Sequence, residues 1–173
     1  MKITGHQYQK LSSHFTTWSR ALPPQAFYLT AASLVVDADS IKASLCSYYP
    51  GPGRTVWMAH LLTDEALIVV EVEFDAEQYD REAEAQYQHG GNAPNWQIKQ
   101  AWARPLTGVT SYRTRIHAVL GSDRFSIGVQ LTFADDAHEP VALPAQSLRY
   151  DEEEQERSDK FMQALRASIP WLT

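Results

Sequence analysis

Between residues 54 and 133 the chain passes through a series of short apolar stretches rich in β-branched and aromatic residues, 56–62, 67–74, 96–102, 109–120 and 125–133. In 67–74, Leu67, Val69 or Val70, Val72 and Phe74 form the apolar set, and Glu71 and Glu73 alternate against them. This period of two predicts a half-buried strand with its glutamates toward solvent. Residues 55–62 and 66–74 read as a hairpin joined at Thr63-Asp64-Glu65. Trp96, Ile98, Gln100 and Trp102 share one parity and Gln97, Lys99 and Ala101 the other, before Arg104-Pro105 breaks the strand. In 112–119, Tyr112, Thr114, Ile116 and Ala118 face one way, and Arg113, Arg115 and His117 the other. Gly121-Ser122-Asp123 suits a hairpin turn, and Ile127, Val129, Leu131 and Phe133 follow at period two. Asp135-Asp136 makes a further turn, and Pro140-Val141-Ala142-Leu143-Pro144 reads as a short edge strand, because proline cannot donate to a ladder.

The flanks have a different period. Leu11, Phe15, Trp18 and Leu22, spaced by four, three and four, predict an amphipathic helix ended by Pro23-Pro24. Residues 27–36 read as a strand, although Ala31 and Ala32 also suit a helix. Residues 39–49 suggest a short helix capped by Ser40, with Ile41, Leu45 and Tyr48 on one side. Pro50-Gly51-Pro52-Gly53 then forms a turn; it lacks the Gly-Lys-Ser/Thr ending of a phosphate loop, and its prolines remove backbone donors. Between Glu71 and Glu84 there are seven acids and one arginine, and 75–95 reads as a short helix or an excursion with a turn at His89-Gly90-Gly91-Asn92-Ala93-Pro94. In the last segment Asp151, Glu152, Glu153, Glu154 and Glu156 precede Arg157, Lys160 and Arg166, the order that complements a helix dipole. Phe161, Leu165 and Ile169, joined by Ala164 and Trp171, form its apolar stripe, and Pro170 ends it. The pattern predicts an α+β fold: a curved antiparallel sheet or partly open barrel capped by a C-terminal helix, with an added N-terminal helix.

Composition narrows this. A chain of 173 residues fits one domain, 1–173, in which 1–50 decorate a core over 54–172. The net charge of −6 argues against nonspecific binding to nucleic acid or to an anionic membrane other than peripherally. A single cysteine, Cys46, fits a reducing compartment. No stretch reaches the roughly 20 apolar residues of a membrane span, and Lys2, His6, Gln7 and Gln9 do not make a signal peptide. The expected location is cytoplasmic.

Four local phrases carry a resemblance: Leu61-Leu62-Thr63-Asp64-Glu65-Ala66-Leu67 at a hairpin, Pro105-Leu106-Thr107-Gly108-Val109-Thr110-Ser111 as a step into a strand, residues 125–143 as a last hairpin with a Leu143-Pro144 exit, and residues 161–169 as a capping helix. Together they resemble the pleckstrin-homology-like superfold, especially its small bacterial versions, over residues 54–172. The resemblance implies an adaptor or scaffold domain that binds proteins, peptides or lipids without catalysis. The excursion 75–95 and residues 1–50 depart from the family pattern.

Arg104, Arg113, Arg115 and His117 are the one basic concentration and the candidate binding residues. Phosphoinositide-binding members of the family use an arginine-x-arginine pair, as at Arg113-Thr114-Arg115, but in their first hairpin. Most of what this strand face explains is a solvated surface balancing Glu71 and Glu73. Glu71 and Glu73 opposite Arg115 or His117 offer the alternative, a charged cup in a ligand-binding barrel or barrel enzyme. No histidine or cysteine spacing suggests a metal, and no motif implies a cofactor. The function expected is noncatalytic recognition of a protein or peptide, through Trp18, Trp57 or the acidic excursion; homo-oligomerisation through a sheet edge is a further possibility.

Overall fold

A computed structural model describes residues 5–15, 17, 19–87, 92–118, 125–135, 140–143 and 152–172; of these, the side chains at 116–118, 125–127, 152 and 154 are left aside. Trp18, His89-Gly90-Gly91, Gly121-Ser122-Asp123, Asp136, Pro144 and Asp151, each given a place by the sequence pattern, lie outside the described residues. The fold is α+β, with two antiparallel sheets of four and three strands and, among the described residues, four α-helices. The expectation of a single curved sheet is thus corrected to two, and among the described residues neither closes into a barrel. The chain divides into two compact units, 1–103 and 104–173.

The first unit begins with α1 (Gly5–His14) and α2 (Gln25–Leu34). Helix α1 lies earlier than the Leu11-to-Leu22 spacing predicts, and Leu22 is exposed rather than part of its apolar face. Pro23-Pro24 does not stop a helix here. Pro24, with φ −63°, instead precedes the first turn of α2, where its missing N–H costs nothing. The strand expected at 27–36 is replaced by α2 because burial falls at helical intervals: Phe27, Ala31 and Val35, with Tyr28 and Ala32 beside them.

The helix expected at 39–49 is also overturned. A single 3-10 turn at Ala38–Ser40 is followed by β1 (Ala43–Gly51), which buries Cys46 and Tyr48 at period two. The Ile41/Leu45/Tyr48 spacing loses to pairing with β2 (Arg54–Leu62), in register from Ala43↔Leu62 to Gly51↔Arg54. The Pro50–Gly53 turn joins them as expected. Gly53 takes φ +72°, a conformation that an L side chain resists. No atom lies within 4 Å of an added Cβ, so Gly53→Ala is expected to cost about 1 kcal/mol from backbone strain alone, measurable as a lower urea midpoint with unchanged slope.

The second hairpin forms as predicted. Strand β2 pairs with β3 (Ala66–Phe74) from Thr55↔Phe74 to Leu62↔Leu67, and Thr63 Oγ1 accepts the Ala66 N–H at 3.0 Å in the turn. Helix α3 (Arg81–Tyr87) occupies the acidic excursion, and β4 (Trp96–Pro105) follows as the last strand in the order β1-β2-β3-β4. One face of the sheet packs on the helices: Cys46, Tyr48, Trp57, Ala59, Leu61, Ile68, Val70, Val72 and Phe74 form one buried cluster with Leu11, Phe15, Phe27, Tyr28 and Ala31. The first fifty residues therefore supply half of this core. Of the expected set, Val70 (the alternative to Val69) lies beside Val72 and Phe74, whereas Leu67 and Val69 share the opposite face with Glu71 and Glu73 and are buried there.

The second unit holds β5 (Val109–Ala118), β6 (Phe125–Phe133) and β7 (Val141–Leu143), then α4 (Glu152–Ser168). Val129, Leu131 and Phe133 are buried, and so are Phe161, Leu165 and Ile169 along the predicted stripe of α4. Glu153–Arg157 and Glu156–Lys160 pair one turn apart on its outer side. Trp171 departs from the stripe: it is half exposed, and its indole donates to the Val109 carbonyl at 2.7 Å. Among the described residues no helix is long and apolar enough to cross a membrane.

Candidate binding surface

The basic residues do not form one cluster. Arg104 is buried, with its guanidinium 5.1 Å from the Phe133 ring centroid and its Nε 3.7 Å from Asp135 Oδ2. That arrangement satisfies a buried cation internally. Arg113 and Arg115 are exposed on β5, and Arg115 Nη2 donates to Gln130 Oε1 at 3.4 Å. The backbone of His117 pairs with Ser126, and its side chain is among those left aside.

Glu71 and Glu73 are half-buried rather than turned to solvent, and their partners belong to their own sheet. Gln97 donates to Glu73 Oε1 at 2.7 Å, Lys99 Nζ lies 3.4 Å away, Arg54 lies 3.7 Å from the other oxygen, and Gln100 donates to Glu71 at 3.0 Å. The Gln97 hydrogen bond, then Lys99 and Arg54, hold the Glu73 carboxyl below its ordinary pKa against the opposing effect of desolvation. The arrangement favours the anionic form of Glu73.

The surface that the sequence pattern missed lies on the other face of β4. Helix α1 packs on β1 and α2 on β3, and β4 is the strand beyond β3 at the sheet's end. What remains open is a groove of about 520 Å³ between the flank of α2, at Gln25, Ala26, Leu29, Thr30 and Ser33, and β4, at Trp96, Ile98 and Ala101, with Glu84 from α3 in its wall. Leu29, Trp96 and Ile98 are 48%, 51% and 49% exposed. Isolated apolar residues on a surface need no explanation, but three lining one groove make it the candidate binding surface.

Parity on β4 conceals this arrangement. Trp96, Ile98 and Ala101 line the groove, whereas Gln97, Lys99 and Gln100 reach the glutamates on the other side. Lys99 and Gln100, neighbours in the chain, both reach the glutamates, so the side-chain contacts do not alternate strictly. Gln100 therefore does not share the face of Trp96 and Ile98, contrary to the strict two-residue pattern. Trp57, named from sequence as a surface candidate, is fully buried.

Glu84 is anchored rather than loose. Its two carboxylate oxygens accept the Gln25 N–H at 3.1 and 2.9 Å, which satisfies an otherwise orphaned donor at the start of α2. Arg81, the one cation in that segment, stacks over the rings of Tyr8 and Tyr28 at 5.0 and 5.8 Å and donates to the Tyr8 hydroxyl. Among the described residues, no three His, Cys, Asp or Glu side chains gather as metal ligands do. Compared with protein-family models, curated proteins and solved structures, the chain matches none of them.

Proposed function

We propose that the protein is a noncatalytic binding module that recognises a protein or peptide partner and is built on a pleckstrin-homology-like plan. The plan draws support from antiparallel strands followed by a C-terminal helix, as the resemblance implies for residues 54–172, although β1 precedes that stretch and the strands fall into two sheets. The observation that carries the binding role is the uncovered apolar face of β4 beside α2, with Leu29, Trp96 and Ile98 each about half exposed. A fold alone does not determine a function; this face gives the reading its site. Of the two carboxylates named for a catalytic cup, Glu73 is tied to Gln97, Lys99 and Arg54 of its own sheet, which lowers its pKa and favours its anionic form over that of a general acid. The exposed pair Arg113 and Arg115 provides the second reading, binding of an anionic lipid or phosphate through β5.

Capture of binding proteins from a lysate of the producing cells separates the two. The tagged full chain is compared with Trp96→Asp/Ile98→Asp and with Arg113→Glu/Arg115→Glu. These side chains are exposed, so the fold is expected to persist, which circular dichroism checks. The groove variant is expected to lose about nine-tenths of a partner that the wild type and the β5 variant retain alike. Retention of nothing by the wild type, or equal retention by the groove variant, rejects the proposal. Loss confined to the β5 variant moves the interface to the arginines.

A further inference from the structure

We infer that the groove beside α2 receives an amphipathic helix from another protein, with Lys or Arg flanking its apolar stripe. This rests on the reading of the chain as a binding module and names the kind of partner. The first argument is spatial. Strands are about 4.8 Å apart, and packed helices are about 8–10 Å apart. With α2 over β3, the next position in the helix layer therefore falls over β4 and just beyond it, where α2, β4 and Glu84 of α3 border the groove among the described residues. The wall that α2 offers is a ridge at helical spacing, Ala26, Leu29, Thr30 and Ser33, and all but Leu29 are small enough for close approach of a second helix. From Ala26 to Ser33 the ridge runs for about 10 Å, or two turns. The occupant's anchors then recur at i, i+3 or i+4, and i+7.

The second argument is electrostatic. Among the described residues, Glu84 is the one charged side chain lining the groove. The adjoining segment from Asp75 to Tyr87 has five acids, Asp75, Glu77, Asp80, Glu82 and Glu84, against Arg81, which is engaged with Tyr8 and Tyr28. Asp75 is tied by its N–H to the Asn95 carbonyl, one residue before Trp96. An indole face and a carboxylate in one groove suit a guanidinium or ammonium group. A second copy of this chain is a poor occupant by the same reasoning. Two concave faces do not fill each other, and a two-fold contact would bring like-charged segments together on a chain of net charge −6.

Three labelled peptides of about 18 residues, or five turns, test this on the full chain by fluorescence anisotropy. One has a leucine stripe flanked by Lys and Arg, one the same stripe flanked by Glu, and one is the basic peptide with two central prolines. The basic helix is expected to bind at least about tenfold more tightly than either control. Ile98→Asp should weaken it by about tenfold or more. Glu84→Gln, verified as folded by its melting curve, should narrow the basic-over-acidic preference by roughly threefold. Equal binding of the proline-broken peptide would mean an extended occupant and overturn the inference, as would equal binding of the acidic peptide or indifference to Ile98→Asp. A wild-type dimer dispersed by Ile98→Asp in sedimentation would assign the groove to a second copy and equally overturn it. Groove-dependent lysate capture without basic-helix binding leaves the binding module standing and rejects only its helical, basic partner.

Discussion

Trp57→Ala is expected to destabilise the first unit by about 4 kcal/mol, at the upper end of large-to-small core substitutions. The side chain is fully buried at the centre of β2, between cross-strand neighbours Tyr48 and Val72. Its ring meets Tyr48 at 4.6 Å and Phe27 of α2 at 6.0 Å between centroids. Its Nε1 donates to the Tyr79 carbonyl at 2.7 Å. Alanine would leave a void among these rings and an unpaired carbonyl in the loop before α3. Trp57→Phe separates the two effects: it keeps an aromatic ring against Phe27 and loses the hydrogen bond, at a cost of about 1–3 kcal/mol. Because α2 and α3 supply the wall of the proposed groove, both variants should also weaken groove binding. Urea unfolding followed by circular dichroism measures the stability change. A loss below about 1 kcal/mol for Trp57→Ala would show that Trp57 does not hold α2 and the sheet together.

Stability is expected to fall by about 2 kcal/mol between pH 7.5 and pH 5 because of one buried histidine. His60 is 2% exposed on β2 between Leu45 and Val69, and no hydrogen bond reaches its side chain among the described residues. Burial lowers its pKa from 6.5 to about 4. The unfolded chain therefore takes up a proton near pH 6.5 that the folded chain refuses until about pH 4. Above 6.5 the two states bind equally and stability is intact; below it stability is lost as the pH falls toward 4, at about 1.4 kcal/mol per pH unit. His14, half-buried beside Ser44, is lowered by burial in the same direction, so the comparison needs a variant. His60→Leu should remove most of the acid sensitivity in this window. It also removes a ring with no hydrogen bond among the described residues, so the neutral-pH urea midpoint should not fall by more than a leucine's fit allows. The same slope in His60→Leu as in the wild type would mean that His60 is hydrated.

Local signals were strongest where burial and chain period agree. Thr63-Asp64-Glu65 closes its hairpin because a threonine hydroxyl can accept from backbone N–H groups two and three residues on, a contact wholly within the turn. Phe161, Leu165 and Ile169 lie on the buried side of α4 because a four-residue spacing can describe one face only. Residues 27–36 and 39–49 went the other way, and both failures lie next to the sheet. Alanine-rich α2 is fully compatible with a strand's apolar content until its neighbours are known, and the Cys46-Ser47-Tyr48-Tyr49 run of β1 becomes extended through nine paired positions with β2. The candidate site was the least legible part. Trp96 and Ile98 show the same apolar alternation as core residues, and nothing local distinguishes a covered face from an open one.

The residues alone were enough to establish the antiparallel β2–β3 hairpin, the period-two strand β6, the turn at Gly53 and the closing helix α4. Each depends on contacts within a turn or on a repeat that neighbouring residues already contain. The tertiary structure decided the division into two sheets, the placing of Arg104 on Phe133, and the exposure of Trp96 and Ile98. Those depend on what lies across from a side chain, and residues far apart in the chain supply it. Periodicity sorts side chains into two faces, but only the placing of α2 beside β4 brings Leu29, Trp96 and Ile98 into one groove.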